Sequence, residues 1–307
     1  MNRGQRLLVG GAIAVVAGAG VGVVAAAWIG FSGGSSAVET NSLKPLPSTV
    51  TPPPPPKGAL VLAHELGARA VALAVGPGRK LTATVLSGVG GGESGLDVSF
   101  RVGGKTIQAK SCGAGCYRAA SSRVPAHVDV LVAGGSVPFT IPKTAPPAAA
   151  IVRRAGRVFR RLHTLVYTES LRSKPRNGIV TTWRFAAPNR MSYDIRRGAS
   201  AVVIGERRWD RIKPSGPWTR SSQIPALAVP QPSWRRATDV RLLARTSVAG
   251  RPVWVVSFVD PTIPAWFTTW IDRSTYRALR LRMTAAGHFM FHRYLQFNAP
   301  VRIAPPR

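Results

Sequence analysis

The sequence predicts a mainly β chain with an apolar helix at its front and one amphipathic helix in its second half. Three observations predict it. An uncharged apolar run of 25 residues, 7–31, opens the chain. Short alternating apolar segments, parted by Gly and Pro, fill residues 58–142. After Pro142, one stretch of helical period precedes ten more alternating segments.

The opening run is long enough to cross a bilayer, which takes about 20 residues. Arg3 and Arg6 precede it and no charge follows directly, so the N-terminus is expected in the cytoplasm and the remaining chain outside. Two readings stay open, a retained signal anchor and a signal peptide cut after the small residues Ser35-Ser36-Ala37. Length favours the anchor. Residues 32–57 then form a linker. Five consecutive prolines, Pro52 to Pro56, favour a semi-rigid polyproline II spacer.

Residues 58–142 read as a small β-sandwich, with segments such as 70–75, 81–86, 96–102 and 128–132 as its short strands. Cys112 and Cys116, the two cysteines of the chain, are expected to pair in an oxidising compartment. Soft ligation of Cu(I) is the other use of such thiols.

The charge is placed unevenly. Formal net charge is +30, and 30 of the 42 Lys and Arg residues follow Pro142, against seven acidic residues. Such a field attracts anionic partners. Outside the cytoplasm these are lipid headgroups of the cytoplasmic membrane or anionic wall polymers, and not nucleic acid. Arg predominates, and its planar fork suits phosphate.

Residues 143–147 link to a helix over 148–164, where Ile151, Val152, Ala155, Val158, Phe159 and Leu162 recur on one face and arginines fill the other. Asn177-Gly178 marks a hairpin between the first two strands of an antiparallel meander that runs to Phe297.

Two stretches carry resemblances. In residues 97–102, 115–119 and 127–132, a strand, a Gly-x-Tyr-x-Ala turn and a second strand resemble the small Ig-like domains of the FixH/YtkA type. That resemblance implies an Ig-like fold and an association with copper handling. Farther on, Trp183 to Tyr193 contains a Pro-x-Arg turn, Ile204-Gly205 leads to Trp209, and Trp270-Ile271-Asp272 ends a later strand. In that order they resemble the half-barrel superfamily of LolA, LolB and the LppX/LprG lipoproteins. That implies a curved half-barrel over 143–307 with a packed helix and an apolar concave face that shelters acyl chains. The apolar opening run would replace the family's lipid anchor.

Candidate lining residues for a lipid or other apolar ligand are Trp183, Phe185, Tyr193, Trp209, Trp254, Phe258, Phe267, Phe289 and Phe291. For each, simple core packing is the plain alternative. His288, Met290 and His292 share one face of a strand and form the one conceivable copper cluster. No G-x-S-x-G nucleophile elbow and no close carboxylate pair occurs, so neither catalysis nor a cofactor is expected. The sequence points to a membrane-tethered binding protein. An accessory role in copper handling and a structural envelope protein without ligand are the alternatives.

Overall fold

The computed structural model describes residues 50–122, 126–174 and 177–307. The apolar run 7–31 and the spacer up to residue 49 lie outside the described residues. Among those described, no helix is long and apolar enough to cross a membrane.

Nine strands come first: β1 (Leu60–Leu66), β2 (Arg69–Val75), β3 (Lys80–Leu86), β4 (Val98–Val102), β5 (Lys105–Gln108), β6 (Lys110–Gly113), β7 (Cys116–Ala120), β8 (His127–Val132) and β9 (Gly135–Thr140). They form two sheets, in orders β1-β2-β3-β7-β6 and β5-β4-β8-β9. Leu73, Leu81 and Val85 of the first sheet pack on Phe100, Val130 and Phe139 of the second, which makes a sandwich. Cys112 and Cys116 are disulfide-bonded across the β6–β7 hairpin. Gly115 is required beside them: its φ is +63°, and a Cβ there would lie 2.4 Å from the Val85 carbonyl oxygen.

Helix α1 (Ala149–Arg160) follows, then β10 (Thr164–Lys174), β11 (Asn177–Ala186), β12 (Arg190–Ile195), β13 (Ser200–Ile204), β14 (Arg207–Arg211), β15 (Thr219–Ser222), β16 (Thr238–Val248), β17 (Arg251–Asp260), β18 (Ala265–Asp272), β19 (Ala278–Ala285) and β20 (His288–Phe297). These eleven strands make one curved antiparallel sheet, in order β15-β14-β13-β12-β11-β10-β20-β19-β18-β17-β16. The chain walks outward from β10 to one edge, crosses over through residues 223–237, and returns from the other edge to close on β10. β15 and β16 do not pair, so the sheet stays open.

α1 turns Val152, Ala155 and Phe159 into the concave side of this sheet. Arg153, Arg154, Arg157 and Arg160, with Arg161 at its end, stay exposed. The two sheet systems share a third apolar cluster. The outer face of β1 and β2, built from Val61 and the alanines 59, 63, 70, 72 and 74, packs on Val259, Trp266 and Phe289 from the convex face of the large sheet. Small side chains let a flat sheet approach large rings closely. Arg172–Glu65 at 2.6 Å and the Gly58 N–H donating to Asp239 Oδ1 at 2.6 Å fasten the edges of this contact.

Candidate functional site

Directly opposed residues of antiparallel strands project to one face, so the register fixes what the concave wall presents. Four cross-strand rows line it. The first runs Phe297, Leu165, Phe185, Met191, Val203. The second runs Tyr294, Tyr167, Trp183, Tyr193, Ala201. The third runs Val256, Thr269, Leu281, His292, Glu169, Thr181, Ile195. The fourth runs Phe258, Phe267, Met283, Met290, Leu171.

The second row is an aromatic ladder. Tyr167 stacks on Trp183 at 6.2 Å and on Phe185 at 5.8 Å between ring centres, and Trp183 meets Tyr193 at 5.0 Å. At the other end of the wall, Phe258 stacks on Phe267 at 5.0 Å. Two covers lie over it. Phe159 of α1 meets Tyr294 at 5.8 Å. The crossover 223–237 contributes Trp234, edge-on to Phe258 at 5.6 Å, and Leu227 against Trp183, Met191 and Tyr193.

The third row is polar at its centre. His292 Nε2 and Glu169 Oε2 lie 2.7 Å apart, and both residues are buried. His292 Nδ1 lies 3.3 Å from the Tyr294 hydroxyl. Burial, then the charge of Glu169, pushes both the Tyr167 and Tyr294 hydroxyls well above the usual tyrosine range, so they act as neutral hydrogen-bonding groups.

The structure divides the nine candidate aromatics between two faces. Trp183, Phe185, Tyr193, Trp254, Phe258 and Phe267 share the concave wall; Trp254 sits near its rim, 5.1 Å from Tyr276. Phe289, Phe291 and Trp209 point the other way. Phe289 fills the contact with the sandwich, and Phe291 meets Trp270 at 6.4 Å. Trp209 lines a shallow convex groove of about 740 Å³ with Arg211, Trp218 and Arg220. The physical reason is parity: a strand exposes alternate residues to opposite sides, and the register sets Phe289, Phe291 and Trp209 opposite Thr284, Arg282 and Val202 on the convex side.

His288, Met290 and His292 do share the concave face. Along a strand, however, the outer two Cα atoms stand about 13 Å apart. Both ring nitrogens of His292 are engaged by Glu169 and Tyr294, and His288 Nδ1 lies 3.3 Å from the Ala286 carbonyl. Among the described residues, no group of three or more His, Cys, Asp and Glu side chains converges on a metal position. The paired cysteines are likewise spent on each other.

The aromatic signal alone misses three buried polar members of the wall, Glu169, Thr181 and Thr269. A signal existed for Glu169: it falls in phase with Leu165 and Tyr167, where an apolar residue is expected. Trp234, in an irregular stretch, offered none.

The sequence matches no protein-family model and no curated protein. The C-terminal half of the chain does match solved structures. The lipoprotein LppX of Mycobacterium tuberculosis matches at 12% identity and a TM-score of 0.40, covering 50% of this chain and 97% of that one. LprF of Mycobacterium bovis matches at 11% identity and 0.39, covering 52% and 98%. A LolA superfamily protein of Nitrosomonas europaea matches at 14% identity and 0.27, covering 52% and 96%.

Proposed function

We propose that this protein is a non-catalytic binding module of the cell envelope that takes a lipid or another apolar ligand on the concave wall of its large sheet. One observation carries the reading: an irregular crossover, residues 223–237, covers an apolar, aromatic wall. Long connections without secondary structure are uncommon in compact domains and are often functional lids. Leu227 and Trp234 insert into that wall as an acyl chain would. Moving this segment aside costs few backbone hydrogen bonds. Its amides are held by Glu206, Gly205 and Pro188 carbonyls at one end and by Asp260 at the other.

The exposed arginines of α1 would hold the module against anionic headgroups, with the apolar run at residues 7–31 as its tether. Native mass spectrometry of the full-length protein, with lipid extraction of the same sample, tests the reading. One acyl-chain ligand per protein is the expected result. A bare mass that persists after incubation with membrane lipids would favour a structural envelope protein whose wall is filled by its own side chains.

A further inference from the structure

The acyl-binding reading leaves the polar centre of the wall unused. Thr269, His292, Glu169 and Thr181 occupy one cross-strand row, interrupted only by Leu281. Thr181 and Thr269 are wholly buried, and neither hydroxyl has a hydrogen-bond partner. Two residues along from Thr181 on the same face, the Trp183 indole N–H is buried and unpartnered too. Leaving such a group unsatisfied is costly, and folded proteins keep few of them. Thr269 stands three strands away from Glu169, but Thr181 and the Trp183 indole lie together beside the Glu169–His292 pair. A second molecule bearing both a donor and an acceptor would complete the set.

No unpaired cation shares that row. Arg208 faces the same side, but Asp210 holds it in a two-pronged ion pair at 2.7 and 2.8 Å. Arg280, Arg282 and Arg293 alternate onto the opposite face. An anionic head entering the row would meet the Glu169 carboxyl with nothing to neutralise it, and an uncompensated buried charge is costly.

We infer that Thr181 and the Trp183 indole, beside the Glu169–His292 pair, recognise an uncharged hydroxyl-bearing head, so that the ligand is a neutral amphiphile such as a diacylglycerol rather than an anionic phospholipid. The inference rests on the acyl-binding reading and adds the head to it. The arginines outside and the neutral row inside then have separate tasks, one for the membrane surface and one for the cargo.

The test offers the full-length protein three lipids with identical acyl chains in phosphatidylcholine vesicles. They are a 1,2-diacylglycerol, its 3-deoxy analogue and its phosphate monoester. High salt suppresses the surface arginines. The native protein should take the alcohol about five- to tenfold more tightly than the deoxy lipid, the worth of one net hydrogen bond, and the phosphate most weakly. Thr181→Val, which keeps side-chain shape, should bring the alcohol down to the deoxy level, and Thr181→Ser should keep the preference. Equal binding of alcohol and deoxy lipid would overturn the inference and leave the acyl-binding reading standing, as would tightest binding of the phosphate. Failure of all three lipids to bind would overturn both.

Discussion

At the scale of single residues, two buried polar groups show how few side chains hold a turn or a wall. Asp272 ends β18. Its Oδ1 accepts from the Ser274 and Thr275 amides and hydroxyls at 2.7–3.1 Å, and its Oδ2 accepts from Arg251 Nε at 2.9 Å. Burial alone would raise its pKa, but these donors outweigh that and hold it at about 2. A carboxyl depressed in the fold stabilises above its unfolded pKa, near 3.9, and the contribution is lost as pH falls through about 2. Asp272→Ala should therefore cost about 3 kcal/mol at neutral pH and flatten the acid limb between pH 4 and 2. Urea unfolding at several pH values reads both effects. Glu169 and His292 give a different pattern. Removing either partner alone should cost about 3 kcal/mol, because the other is left buried and unpaired. The Glu169→Leu/His292→Leu double variant should cost clearly less than the sum of the two single changes. A double-mutant cycle measures the coupling.

At the scale of elements, the crossover is the part most open to change. Asp260 sits wholly buried at the end of β17. It accepts from the Arg235 and Arg236 amides at 2.7 and 2.9 Å through Oδ2, and from the Thr262 amide at 3.0 Å through Oδ1. Asp260→Ala should raise amide exchange across residues 223–237 while strands β10, β18 and β19 keep their protection. Hydrogen exchange resolved by peptide checks this. The crossover was also where sequence reasoning gave out. Alternation found all ten of the second-half strands it proposed, from residues 164–171 to 288–297, and helical period found α1. It missed β15, whose Thr219–Ser222 is polar throughout and exposed. It missed β1 for the opposite reason. The start of Leu60–Leu66 is apolar on both faces, one packing into the sandwich and one onto the large sheet, so no alternation survives. The site was legible in part. Six of the nine candidate aromatics fall on the concave wall, and the in-and-out parity that puts Trp209, Phe289 and Phe291 on the other face follows from register across strands. Trp234 reaches the wall from a stretch with no period at all.

At the scale of the whole molecule, the sandwich and the large sheet share an apolar contact through the alanine face of β1 and β2. His64 lies beside that contact, 5.2 Å from the Phe139 ring. Burial, with the nearby Arg282 charge second, lowers its pKa to about 4. The unfolded chain, with its ordinary histidine near 6.5, then binds more protons than the folded one between pH 6.5 and 4. Stability should fall across that window as pH drops, and level off below it. His64→Gln should weaken this dependence, as thermal melts from pH 7 to 4 would show. The central claim concerns where an apolar ligand goes. The most direct measurement is photo-crosslinking of the full-length protein with an acyl-chain probe, mapped by peptide mass spectrometry. Labels on peptides bearing Trp183, Phe185, Leu227 and Trp234 are the result this account expects. Labels confined to the arginine face of α1, to the convex groove at Trp209 and Trp218, or to none of the chain would contradict it.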